Sequence, residues 1–380
     1  IDTISRHINN TSFLQTIVGI AAKKSSIEAF PKKFELSLTS KQLRYHLQSF
    51  DTEKVENAIN KALKHHVSHS ISHRNRSYKF AIDLHYKPYH GEPYKDENEV
   101  CRSKAKSGTT HFHVYATIYL IKNKKRYTLA MKYVRNGDDL LDIITFLIEQ
   151  IHSIGLKIKR LYLDKGFYST EIIDYLQKEG LPFIIPVAFK GRKGKDGKSG
   201  IERLLKGNKS YITDYPLKSV KNGKKTNISF KLYIVVRIIK KKNKHKIREY
   251  YAYALSEITF PIKRLYNEYR LRFGIETSYK KKNESLCRTS SRRPEIRLLY
   301  TGLSFFLVNT WIFMKWNFLG EKEREKYKHL ISEFIYERFC ELIFEALKPI
   351  FKYRSNIEYI EQNSALYTTC LLYTSDAADE

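Results

Sequence analysis

The chain has 380 residues, and its 69 Lys and Arg against 40 Asp and Glu give a formal net charge of 69 − 40 = +29. Its 42 % hydrophobic and 13 % aromatic content supplies a buried core and argues against disorder, while the length predicts roughly two or three domains. An excess this large calls for a polyanionic partner, nucleic acid or an anionic membrane surface, and argues against small neutral metabolites as substrates. Cys101, Cys287, Cys340 and Cys370 are far apart and form no CxxC pair, so they read as reduced thiols rather than a zinc ribbon or disulfide framework. The longest apolar stretch, Leu303 to Met314, is shorter than the about 20 residues that span a bilayer and reads as a buried helix. The sequence opens at Ile1 with no initiator Met, which points to a start further upstream.

Residues 1–77 carry 12 basic and 6 acidic side chains and read as helical, with segments near Thr3–Ala22, Thr39–Phe50 and Thr52–Val67, the last two capped by Thr39 and Asp51. His65, His66, His69 and His73 include i, i+4 pairs that suit zinc, but no Cys or Glu motif supports them, and they read as a basic linker. Residues 78–187 read as the first part of a catalytic core. Tyr78–Tyr86 alternates apolar and polar residues as a strand does; His111–Ile121 and Arg126–Val134 form a hairpin around a short basic link. His111 and His113, on one strand face, read as structural. A helix follows from Asp138 to Ile154, then a strand over Lys157–Leu163, a helix over Ser169–Gly180 and a strand over Leu181–Val187. Three strands followed by alternating helices and strands predict a mixed α/β sheet covered by helices, an RNase H-like arrangement.

Residues 188–256 read as a basic β-rich insertion. Residues 188–249 alone hold 20 basic and 4 acidic side chains, net 20 − 4 = +16. They include a Gly/Lys run, Lys190–Gly200, a second lysine run, Lys240–Arg248, and strands over Lys209–Tyr215, Ser229–Ile239 and Glu249–Leu255, with an Asn222-Gly223 turn. Residues 257–318 are expected to complete the core, with one long helix over Glu257–Asn283 and an apolar helix over Arg297–Trp316 packing it onto the sheet. Residues 319–369 read as a C-terminal helical region, including an amphipathic Lys326–Lys348. Residues 370–380 resemble translated sequencing-adapter read-through and are set aside as an artefactual tail.

The carboxylates carry the chemistry. Phosphodiester cleavage by two metal ions needs a few acidic side chains converging on cations about 3.5–4 Å apart. Asp83 lies in an otherwise apolar strand, where an uncompensated carboxylate is costly, and Asp164 ends the strand Leu161-Tyr162-Leu163 before a Lys-Gly turn. Tyr269, Arg272 and Glu276 stand at i, i+3 and i+7, one face of a helix that Lys280 continues, with parts to bind a metal and phosphate oxygens.

In this spacing the chain resembles the DDE transposases of the IS4 group. Tyr269, Arg272 and Glu276 match their Y-(2)-R-(3)-E signature, the run from Leu163 to Tyr168 resembles their second-aspartate motif, and the insertion resembles their β-rich insertion before the last catalytic helix. Across residues 78–318 it looks most like the archaeal-type ISH3 branch. The signature's basic residue seven positions after the Glu is Asn283 here, directly after Lys280, Lys281 and Lys282, so a neighbouring lysine takes its place. The resemblance implies that Asp83, Asp164 and Glu276 hold two Mg²⁺ ions, with Mn²⁺ as an alternative. It implies cutting at transposon ends and joining of the freed 3′-hydroxyl to target DNA, with Tyr269, Arg272, Lys280 and Lys282 binding DNA. It further implies a homodimer on double-stranded DNA, helped by the N-terminal region at the transposon ends, in a prokaryotic cytoplasm with the nucleoid and without a membrane. Two alternatives stay open: another RNase H-like nuclease such as a junction resolvase, and a catalytically inactive DNA-binding protein derived from a transposase.

Overall fold

The structure, a computed structural model, describes residues 10–36, 38–70, 77–122, 125–188, 200–221, 223–240, 246–256, 260–317 and 332–353. The cores of both lysine runs, Cys370 and the tail at 370–380 lie outside the described residues. In chain order the elements are α1 (Asn10–Ala22), α2 (Phe30–Lys33), β1 (Phe34–Glu35), α3 (Ser40–Gln48), α4 (Thr52–Ser70), β2 (Ser77–Pro88), β3 (Cys101–Lys106), β4 (Thr109–Lys122) and β5 (Lys125–Val134). They continue as α5 (Leu140–His152), β6 (Lys157–Leu163), α6 (Thr170–Lys178), β7 (Phe183–Pro186), β8 (Tyr211–Lys221), β9 (Lys224–Lys240), β10 (Lys246–Leu255), α7 (Ile262–Tyr269), α8 (Gly274–Lys282), α9 (Pro294–Asn317), α10 (Tyr336–Leu347) and β11 (Lys352–Tyr353). The chain divides into two compact units, residues 1–58 with 281–380, and residues 59–280.

The first unit is helical. Thr39 caps α3 in a reciprocal box with Gln42, and Asp51 accepts the Lys54 amide at 2.7 Å. Helix α1 buries Phe13, Ile17, Ile20 and Ala21 and packs against α9 and α10. Phe30, Phe34, Phe344 and Phe351 gather with ring centroids 4.7–6.4 Å apart. Gly19 lies against this cluster, where a Cβ would run into the Phe351 ring. The apolar helix expected at Arg297–Trp316 is α9, 24 residues long. Its segment Pro294–Trp316 has the length and composition to cross a membrane, yet two thirds of its most apolar stretch is buried. It packs in this helical unit, with Thr301, Ser304 and Asn309 buried beside Leu298 and Phe305. The helix expected at Lys326–Lys348 is described from Tyr336 to Leu347, its start lying outside the described residues.

The second unit is built on one sheet in the order β3-β4-β2-β6-β7-β10-β9-β8, with β5 also paired to β4. Strands β2, β4 and β5 run antiparallel, and β6 and β7 join parallel to β2, the RNase H-like order expected from the sequence. Helix α5 starts at Asp139, which accepts the Leu141 amide at 2.8 Å, and buries Ile143, Ile144, Leu147, Ile148 and Ile151. Helix α6 starts at Ser169 and covers the insertion's strands β8 and β9. The insertion is continuous with the core: β10 pairs antiparallel with β7, placing Tyr253 opposite Pro186 and Leu255 opposite Ile184.

Candidate active site

Two aspartates meet because of strand register. In the parallel pairing of β2 with β6, Ile82 lies opposite Leu163, so Asp83 and Asp164 follow side by side, one still in its strand and one leaving it. Phe80, Ala81, Ile82, Leu161, Tyr162 and Leu163 are all fully buried, so both faces of the sheet are covered up to the point where the aspartates emerge. The Asp83 side chain is 14 % exposed and that of Asp164 is 44 % exposed, so the pair sits at the lip of the core.

Between them lies Arg272. One guanidinium nitrogen, Nη1, is 3.2 Å from Asp83 Oδ1 and the other, Nη2, donates to Asp164 Oδ1 at 2.9 Å. The side chain is only 9 % exposed. Burial alone would loosen its proton, but Tyr269 and the two aspartates push the other way and its affinity for the proton is raised.

The long helix expected at Glu257–Asn283 is interrupted: α7 ends at Tyr269, residues Arg270–Phe273 form a 3₁₀ turn, and α8 resumes at Gly274. In 3₁₀ geometry residues i and i+3 eclipse, so Tyr269 and Arg272 stand one above the other over the ends of β2 and β6. Arg126 Nη2 donates to the Leu271 carbonyl at 3.3 Å, and its side chain fills the space where a Cβ on Gly274 would stand. The interruption thus has a partner that a helical-wheel reading does not contain.

Tyr269 donates its hydroxyl to the Leu163 carbonyl at 3.1 Å, directly before Asp164, and burial pushes its phenol pKa upward, so it stays a donor. Its hydroxyl therefore grips the strand, while the residue also lines the cleft beside Asp164. The expectation for Lys282 is corrected. It is fully buried in the helical unit with its ammonium 5.2 Å from the centre of the Phe305 ring, which removes it from any DNA surface. Lys280 is exposed on α8. Glu276 lies on the same helix, and its side chain is outside the described residues. Tyr279, one turn further on, is held by Thr117 through a 2.7 Å hydroxyl contact, and Thr117 is the cross-strand partner of Asp83. That contact ties α8 to β4 at the level of Asp83.

Glu268 was not among the residues singled out from the sequence. Its Oε1 accepts from Lys79 Nζ at 2.6 Å on β2, Arg160 Nη1 at 2.9 Å and Tyr162 Oη at 2.5 Å on β6. Burial would raise its pKa, but donation by Lys79 and Tyr162 and the charges of Lys79 and Arg160 outweigh it, and the carboxyl titrates below its ordinary value. Residues 268, 269 and 272 thus clamp one segment across both aspartate strands. The only signal for Glu268 was its place directly before Tyr269.

Beside Asp164 opens a cleft of about 370 Å³. Its walls include Tyr251, Tyr253, Tyr266 and Phe273, with Lys165 and Arg270 also lining it. Arg237 stacks on the Tyr266 ring 3.8 Å from its centroid, and Tyr251 packs on the same ring at 4.7 Å. Aromatic faces with cations beside a carboxylate pair suit a nucleotide strand.

The donor set fits a divalent cation. Two carboxylates already share one compact positive group, and carboxylate oxygens suit hard ions such as Mg²⁺. Among the described residues no group of three or more His, Cys, Asp or Glu side chains converges, here or elsewhere, so the described donors at this site are the two aspartates. His113 is buried between Tyr89 and Tyr133, as a structural residue is.

Residues 88–298, more than half of the chain, match the family described as Transposase DDE domain. Asp164 and Glu276 lie inside that match, and Asp83 five residues before it. Among solved structures, a cryo-EM structure of piggyBac transposase in a synaptic complex with hairpin DNA is similar in fold, with a TM-score of 0.50 and 11 % identity over 89 % of this chain and 71 % of that one. No curated relative matches the sequence.

Proposed function

Because the chain belongs to the DDE transposase domain family, we propose that Asp83, Asp164 and Glu276 are the three carboxylates of its metal site. The chain is a DDE-type DNA transposase that cleaves DNA and transfers the cut strand. The observation supporting these residues is the side-by-side placement of Asp83 and Asp164 under one guanidinium, with α8 tied to the strand opposite Asp83.

Members of the family act through divalent metal ions, and in our reading the ion is Mg²⁺, two per site, with Mn²⁺ as a substitute. Bound there, the ions supply an activated nucleophile and a stabilised leaving oxygen. The chain's own groups do the rest. Arg272, released from the carboxylates, offers its two Nη groups to a phosphate in bidentate fashion. Tyr269 holds the Leu163 carbonyl and with it the approach of Asp164. Lys165, Arg270 and Lys280 neutralise phosphates, and the tyrosine walls of the cleft stack an unpaired base. Replacing Tyr266 with Ala removes that wall and the seat of Arg237; it is expected to weaken binding of a single-stranded oligonucleotide by about 1–3 kcal/mol, read by fluorescence anisotropy.

The finer assignment is to the IS4 group, near the ISH3 branch, on the Tyr269, Arg272 and Glu276 spacing. The active species we favour is a homodimer on paired DNA ends, acting with the nucleoid. The test uses the chain with DNA from the flanks of its own gene. With Mg²⁺, free 3′ ends and strand-transfer products into a plasmid are expected, and both vanish when the metal is chelated. Hydrolysis without joined products would instead favour a resolvase-like nuclease; binding without any cleavage would favour an inactive derivative.

A further inference from the structure

One strand was absent from the sequence reading. Strand β3, Cys101–Lys106, has no apolar alternation, and its only sign is the Ser107-Gly108 pair that turns it into β4 with φ of 52° and 79°, as a two-residue hairpin requires. It carries basic residues at Arg102, Lys104 and Lys106, and its pairing is bulged between Arg102 and Lys106, where four residues of β3 span two of β4. All five residues after Cys101 are exposed, and none of the three cations is held in an ion pair among the described residues. The acidic connection just before it is largely engaged elsewhere: Asp96 pairs with Arg135, and buried Glu99 accepts the Tyr94 and Lys95 amides. Edge strands are commonly guarded by a lysine or a bulge, but three exposed cations with no acidic residue among them are more than that guard needs.

Its position gives the series meaning. In the sheet order the carboxylate strands β2 and β6 are central, the basic insertion β8–β10 lies to one side, and β3 lies beyond β4 on the other. Arg102 pairs with His111 and Lys87 with His113, so β3 begins about 20 Å past Asp83 along β2 and two strands across. That is less than one turn of duplex, about 34 Å.

We propose that β3 and its hairpin tip form a second binding surface for duplex DNA, separate from the insertion and on the opposite flank of the carboxylates. The proposal rests on the transposase reading above. A reaction that joins two DNA molecules needs two such surfaces beside one set of carboxylates, and β3 is the one that receives the target duplex.

The test is binding of a short labelled duplex of arbitrary sequence to the full chain, without metal, across a salt series. Arg102→Glu with Lys104→Glu and Lys106→Glu is compared with Lys218→Glu, Lys221→Glu and Lys225→Glu in the insertion. The β3 variant is expected to lower the slope of log K against log salt by up to about 2.7, three contacts at roughly 0.9 each. At low salt the wild type is expected to take two duplexes per chain, and the β3 variant one. An unchanged slope overturns the proposal; so does a lowered slope with unchanged stoichiometry, which would make β3 part of a single site. The corresponding glutamine triple keeps the test decisive if the charge reversal does not fold. Because no cleavage is measured, failure here leaves the transposase reading standing, and failure of metal-dependent cleavage leaves this binding result interpretable.

Discussion

Alanine at Asp83, Asp164 or Glu276 is expected to abolish metal-dependent cleavage, with a loss on the order of 10³-fold or more in single-turnover rate. Removing one carboxylate from a site that must hold cations against a phosphodiester costs several kcal/mol of transition-state stabilisation, and each 1.36 kcal/mol is tenfold. The three variants differ in what else they disturb. Asp83→Ala and Asp164→Ala each take one partner from Arg272, a nearly buried guanidinium, so part of their cost falls on the fold. Asn at either position keeps the shape and an acceptor for Arg272 while losing the charge, and it separates metal binding from stability. Duplex binding is expected to stay within a few-fold of wild type, because phosphate contacts come from cations elsewhere. Full nicking activity in any one of the three would remove that residue from the site.

The second large effect is expected at Glu268. Glu268→Ala leaves Lys79 and Arg160 as buried or half-buried cations without their shared carboxylate, a change that typically costs about 3–5 kcal/mol. Both tryptophans, Trp311 and Trp316, lie in the helical unit. Unfolding of the sheet unit must therefore be followed by its β signal in circular dichroism. Glu268→Gln, which still accepts from Tyr162 and Arg160, is expected to lose less, about 1–3 kcal/mol. The pH dependence follows from the sign of the shift. Glu268 titrates below an ordinary carboxyl in the folded chain, so its stabilisation is full above the ordinary carboxyl pKa and is lost as pH falls through its own. Glu268→Gln should flatten acid destabilisation in that window, and an unchanged acid profile would show that the cluster does not stabilise the unit. Because residues 268, 269 and 272 sit on one clamp, cleavage should fall with stability in Glu268→Ala and recover in part in the glutamine variant.

How legible these features were depends on how local their causes are. Strands β4, β5 and β6 and helices α5 and α6 followed from alternation, helical period and the caps Asp139 and Ser169, which involve neighbours a few residues away. Asp83 stood out as a charge in an apolar strand. The tyrosine, arginine and glutamate spacing was readable because it lies within eight residues. Strand β3 escaped because its polar sequence gives no apolar period, and only its pairing with β4 makes it a strand.

The larger departures have long-range causes. The helix break at Arg270–Phe273 is attended by Arg126, more than 140 residues earlier. Lys282 read as part of an exposed basic run, yet it is buried beside Phe305 within the helical unit to which both belong. Strand β10 read as part of a separate insertion, while its pairing with β7 makes it a wall of the cleft beside Asp164.

Composition and local pattern were thus sufficient for the polyanionic partner, most of the strands and helices of the core, and a set of candidate carboxylates to propose, because charge, period and capping are properties of short stretches. They were silent on which groups meet. Arg272 and Asp164 are 108 positions apart, and Glu268 and Tyr162 are 106 apart. Such contacts exist only once parallel register and burial have brought β2, β6 and the clamp together, and the cost of leaving a buried charge unmatched then selects the partners.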